Sequence, residues 1–77
     1  MRIYLEATKS IYFCIAASCN YVDIDGICQV SFKLIDGMTL IVDVPVGDYD
    51  KLIKPRLLMN GYYSIKEYYR HDFILQT

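Results

Sequence analysis

The residue types best suited to recognition chemistry gather near the C-terminal end of this 77-residue chain. Tyr62, Tyr63, Tyr68 and Tyr69 interleave there with Arg56, Lys66 and Arg70. Two chemistries suit that mixture. Tyrosine and arginine are enriched at the energetic centres of protein interfaces, where rigid rings give contact area at low entropic cost. The same rings could stack on unpaired bases while the cations follow phosphates. A third reading gives half of the rings to the core and leaves the cations to solvate a helix face. Charge separates the first two. Residues 1–50 carry three basic and seven acidic side chains, a net of -4, whereas residues 51–71 carry five basic and one acidic, a net of +4. The whole chain stands at -1, and nucleic-acid domains usually show a clear positive balance with a recognisable motif. A protein partner is therefore the first expectation, and RNA or single-stranded DNA the second.

Catalysis has few parts to work with. The one histidine, His71, precedes Asp72, and neighbours on a strand point to opposite faces, so the two do not make an orienting dyad there. Neither a phosphate-binding loop nor a nucleophile elbow is present, and the expectation is that the protein is not an enzyme. Asp25 and Asp36 fall in turns, Asp48 suits a helix N-cap, and their spacing does not match a calcium loop, so no metal and no cofactor is expected. Cys14, Cys19 and Cys28 are odd in number and lack a Cys-x-x-Cys pair. That argues against a disulfide framework and for buried thiols acting as small hydrophobes.

These side chains need elements to position them. Ile-Asp-Gly occurs twice, at residues 24–26 and 35–37, each time between alternating apolar runs, a strong hairpin signal. For the second turn a three-residue loop brings the apolar faces together, pairing Phe32 with Leu40, Val30 with Val42 and Cys28 with Val44. For the first, a two-residue Asp25-Gly26 loop sets Tyr21 against Val30, Cys19 against Phe32 and Ala17 against Leu34. The inward face of that first strand would then be Ile11, Phe13, Ile15, Ala17, Cys19 and Tyr21. The segment from Arg2 to Glu6 would add an edge strand. After Pro45, Asp48 reads as an N-cap and Asn60-Gly61 as a stop, giving a helix around residues 48–60 that is either kinked at Pro55 or split into two short helices with Pro55 opening the second. Residues 62–75 fit a strand returning to the sheet better than the alternative helix with Ser64 and Glu67 as a capping box.

The expected architecture is α+β, a single domain over residues 1–77: a small antiparallel meander of three to five strands with one face covered by the kinked helix. Ile11 to Ala17 is too short an apolar run for a convincing signal peptide and nothing approaches a membrane span, so a soluble, cytoplasmic protein without a membrane partner is expected. With 55% hydrophobic residues, 22% charged residues and a mean hydropathy of +0.23, the chain has the makeup of a folded domain with apolar surface to spare. Small cores often lean on an oligomeric partner, which adds a homodimer to the expectations. Together these features suggest a non-enzymatic binding module. It would act as small phage or mobile-element proteins do when they inhibit a host enzyme or defence complex by occupying its surface. Arg56, Tyr62, Tyr63, Lys66, Tyr68, Tyr69 and Arg70 would form the contact.

Overall fold

A computed structural model describes residues 1–75. Its strands are β1 (Arg2–Leu5), β2 (Ser10–Val22), β3 (Ile27–Leu34), β4 (Met38–Pro45), β5 (Tyr62–Ile65) and β6 (His71–Leu75). They form one six-stranded sheet in the order β5-β1-β2-β3-β4-β6. Every neighbouring pair is antiparallel except β1 with β5, which run parallel. The α+β class holds, and the strand count exceeds the expected three to five because the C-terminal segment supplies two strands, one at each edge. β1 is consequently not an edge: β5 covers it through Arg2 N–H to Gly61 O at 2.9 Å and Glu6 N–H to Ile65 O at 3.0 Å. Tyr12 on β2 and Phe73 on β6 meet with ring centroids 5.4 Å apart although two strands separate them in the sheet. The sheet therefore curls strongly around its concave face.

The β3–β4 hairpin has the expected register, with Phe32 opposite Leu40, Val30 opposite Val42 and Cys28 opposite Val44. Gly37 sits at φ +93°, a left-handed conformation that side chains rarely adopt, and Asp36 Oδ1 accepts the Met38 N–H at 2.9 Å.

The β2–β3 hairpin departs from expectation. Ala17 lies opposite Phe32, Cys19 opposite Val30, Tyr21 opposite Gln29 and Val22 opposite Cys28. Asp23 lengthens the turn by accepting N–H groups from Asp25 at 2.9 Å and Ile27 at 3.0 Å. Irregularities between Cys14 and Ala16, and again between Cys19 and Tyr21, each add a residue to β2. An added residue reverses the alternation. Up to and including the first bulge, Tyr12 and Cys14 face inward and Ile11, Phe13 and Ile15 stand outward, 56%, 55% and 59% exposed. Of the expected inward face only Ala17 and Cys19 pack on the core; Tyr21 is exposed. The new register also makes Cys19 and Cys28 diagonal neighbours with Cα atoms 6.4 Å apart, and they form a disulfide. The expectation of three free thiols is thereby corrected, and only Cys14 stays free and buried.

The helical run covers the concave face as α1 (Val46–Asp48), a π-helical turn (Tyr49–Ile53) and α2 (Lys54–Leu58). It begins two residues before Asp48, with Pro45 rather than Asp48 at the N-cap, and Asp48 itself is helical at φ -63°, ψ -43°. The π turn lies directly ahead of Pro55, where a regular helix would lose an N–H and meet the proline ring. Ile53 is fully buried, and Tyr49, Leu52 and Leu57 pack beside it on the cluster formed by Ile3, Leu5, Phe32, Leu40, Val42 and Ile65. The run ends where Asn60 takes φ +53° and Gly61 N–H returns to Arg56 O at 2.6 Å. A Cβ on Gly61 would lie 2.9 Å from Arg56 Cβ, so this stop requires glycine.

Ser64 and Glu67 do not build a capping box. Ser64 Oγ donates to Glu6 Oε2 at 3.1 Å, Glu67 N–H donates to Glu6 Oε1 at 3.2 Å, and Lys66 Nζ stands 3.5 Å from Glu6 Oε2. Desolvation pushes the Glu6 carboxyl up, yet these partners, the Glu67 N–H foremost, outweigh it and hold the group below its ordinary value. Glu6 thus anchors the turn that carries the chain from one sheet edge to the other.

Candidate interaction groove

The seven residues expected at the contact do not form one patch, because β5 and β6 lie at opposite edges of the sheet. Arg56 and Tyr62 stay near β5, where Arg56 Nη1 donates to Tyr62 O at 3.0 Å. Lys66 is occupied with Glu6. Tyr63 is withdrawn from the surface altogether, 2% exposed, with its ring stacked on Phe32 at 6.4 Å between centroids. Period-two alternation along β5 requires this: Tyr63 and Ile65 point inward, Tyr62 and Ser64 outward.

Tyr68, Tyr69 and Arg70 remain together on the turn leading into β6. Tyr69 lies partly inside, its hydroxyl 3.3 Å from Asp48 Oδ2, and the Tyr63 hydroxyl donates to the same oxygen at 2.8 Å. Burial pushes the Tyr63 hydroxyl well above its ordinary value, reinforced by the bond to Asp48 and that residue's charge. Tyr69 is pushed up to about 12 by desolvation and then by the same carboxylate. Against this anchored ring stands Tyr68, edge-on at 5.0 Å and 79% exposed. The anchor holds the base of the turn while Tyr68 presents its ring to solvent.

Two depressions meet beside these residues and share Asp43 and Arg70. One, of about 490 Å³, lies between Tyr68, Tyr69, Pro45, Ile27 and Asp23. The other, of about 530 Å³, extends over Gln29, Ile41 and Tyr21 to His71 and Asp72. Arg70 sits at the junction, fixed through its backbone by the Asp43 N–H to Arg70 O bond of 2.9 Å. Among the described residues its guanidinium makes no ion pair. Gln29 Nε2 donates to the Tyr21 hydroxyl at 3.2 Å, and Asn20 Nδ2 donates to Gln29 Oε1 at 2.9 Å and Ser31 Oγ at 2.7 Å. One wall is therefore an ordered polar ladder. The opposite end offers Tyr68, Pro45 and Ile27.

Sequence reasoning missed Tyr21, Asp23, Asp43 and Pro45 as members of this groove. The correctly read β3–β4 register already put Gln29, Ile41 and Asp43 on one outer face, so a signal for part of the wall was present. The pairing of β6 with β4 that brings Arg70 beside Asp43 was not readable.

His71 and Asp72 stand opposite Val42 and Ile41 on alternating positions of β6. His71 Nδ1 lies 3.1 Å from Tyr69 O, and Asp72 Oδ1 accepts the Phe73 N–H at 2.9 Å. Burial pushes the Cys14 thiol up, and its Sγ contacts Ala16 O at 3.0 Å. Among the described residues no group of three His, Cys, Asp or Glu side chains could hold a metal ion, and no helix is long and apolar enough to cross a membrane. Compared with protein-family models, with curated proteins and with solved structures, the chain matches none.

Proposed function

We propose that this protein is a non-enzymatic binding module that seats a segment of another protein in the groove around Arg70. The observation that carries the reading is the pairing of an exposed aromatic with a guanidinium that, among the described residues, makes no ion pair, at the junction of two depressions. Tyr68 is 79% exposed and is held on a ring that is itself anchored to Asp48. Aromatic and arginine side chains in such settings are the residues that dominate interface energetics. The rest of the lining speaks for a protein segment over nucleic acid. Asp23, Asp43 and Asp72 line the two depressions that share Arg70, and three carboxylates would repel a phosphate backbone, whereas a lysine or arginine of a partner would find them complementary. The role we propose for such a module is inhibition of a larger protein by occupying its surface, in the manner of small phage and mobile-element proteins.

The test is affinity capture of the tagged protein from native-host lysate with and without nuclease, read by mass spectrometry. One stoichiometric protein that survives nuclease is the expected result. Recovery of nucleic acid alone, with an affinity falling steeply as salt rises, would overturn the reading and move the RNA or single-stranded DNA alternative into first place.

A further inference from the structure

The convex face of the sheet, remote in purpose from the Arg70 groove, carries an apolar stripe. Ile11, Phe13 and Ile15 alternate along β2 and are exposed, and Ile35, 65% exposed, lies beside them across the Ile35 N–H to Phe13 O bond of 3.1 Å. On the other side of Phe13 stands Arg2, its register partner on β1, and beyond it Tyr62 on β5. At about 200 Å² for a side chain of this size, the exposed parts of Ile11, Phe13, Ile15, Ile35 and Tyr62 amount to roughly 500–600 Å². That is the upper end of the largest apolar patch on a typical monomer, and patches of that size are often functional. With its flanking Arg2, Tyr4 and Asp36 the face approaches the ~800 Å² per partner of a standard interface.

The arrangement of charge selects the occupant. A row crosses the strands from Arg2 through Phe13 to Ile35 and Asp36, with a cation at one end, an apolar centre and an anion at the other. A two-fold axis lying over Phe13 between two facing sheets, parallel to β2, maps that row onto itself reversed on the opposite chain. Phe13 then meets its own copy, and each Arg2 comes over the Ile35-Asp36 end of the facing chain. A shallow cavity of about 180 Å³ lies there, lined by Ile11, Tyr12, Phe13, Leu34, Ile35 and Asp36. It offers an apolar floor for the arginine stem and a carboxylate for its head. Asp36 uses Oδ1 on the Met38 N–H, which leaves its second oxygen for such a contact. Isologous interfaces require this self-complementarity. We infer that the β2 stripe is the seam of a homodimer, centred on Phe13 and locked by reciprocal Arg2–Asp36 pairs.

The experiment is sedimentation equilibrium of the purified chain over a dilution series, with circular dichroism on every variant. The wild type is expected at twice the 9.0 kDa chain mass, and Phe13→Glu at one chain mass with an unchanged spectrum. Arg2→Asp and Asp36→Arg should each raise the dimer Kd at least about tenfold, or ~1.4 kcal/mol. The double exchange Arg2→Asp/Asp36→Arg should restore association. That pair decides the matter even if Phe13→Glu fails to fold. Tyr68→Ala/Arg70→Glu, which disturbs the groove alone, should remain dimeric. A wild type at one chain mass at ~100 µM, far above a ~1 µM Kd, would overturn the inference. So would a double exchange no tighter than either single variant, or loss of the dimer in the groove variant.

Discussion

Tyr62-Tyr63 and Tyr68-Tyr69 are the same dipeptide used twice, and in both the first ring goes to solvent while the second goes to the fold. Tyr62 and Tyr68 are 43% and 79% exposed, whereas Tyr63 is buried and Tyr69 partly so. The reasons differ. In β5 the alternation of a strand sends neighbouring side chains to opposite faces. In the turn before β6 no ladder imposes alternation, and Tyr69 is drawn in by the carboxylate that Tyr63 already occupies, Asp48 Oδ2. A tyrosine-rich segment is thus neither a contact surface nor a core by composition alone. Backbone phase and a single half-buried acceptor divide it into both.

Substitutions sharpen that division. Tyr63→Ala removes a buried ring stacked on Phe32 and should cost about 3–5 kcal/mol, a large part of the stability of so small a protein, read by urea unfolding. Asp48→Ala leaves two hydroxyls without their shared acceptor, one of them buried, and should cost about 1–3 kcal/mol by the same measurement. If it costs nothing, Asp48 is not what separates Tyr69 from Tyr68. Alkaline titration comes next in size. Tyr69 has a folded-state pKa raised from 10.0 to about 12, so its contribution to stability is complete below pH 10 and is lost as pH climbs through 12, and Tyr63, raised further, goes on losing its contribution above that. Circular dichroism should therefore report alkaline unfolding in that window. Asp48→Asn, which removes the charge, should bring the Tyr69 transition back toward 10.0. Tyr68→Ala should have the smallest effect on the fold, within about 0.5 kcal/mol, because its ring is mostly in water.

The two Ile-Asp-Gly hairpins explain how far such a division can be read from sequence. In β3–β4 every inward residue of one strand meets an inward residue of the other, so matching apolar faces identified the register. In β2 the same matching misled, because two bulges interrupt the alternation and nothing in the residue types from Ile11 to Tyr21 marks where they fall. That error hid both the outward Ile11-Phe13-Ile15 stripe and the Cys19–Cys28 bond. The helix was legible in place and in its interruption near Pro55, which sits in the first turn of α2, though its first residues were not, since Asp48 resembles an N-cap and serves instead as a hydroxyl acceptor. Of the groove, Tyr68 and Arg70 were legible as recognition residue types. Tyr21, Asp43 and Pro45 join them only through long-range strand order, which local pattern does not encode.

The central claim is that the exposed ring of the second pair recognises a partner while its neighbour maintains the fold. A Tyr68→Ala, Tyr69→Ala variant would confuse the two roles, because Tyr69 is tied to Asp48. The direct measurement is quantitative capture of the partner by wild type and by Tyr68→Ala/Arg70→Glu, with thermal melts of both. The account predicts melts that coincide and a partner lost from the variant. Equal capture by the two proteins would contradict it and move the contact away from the Arg70 groove.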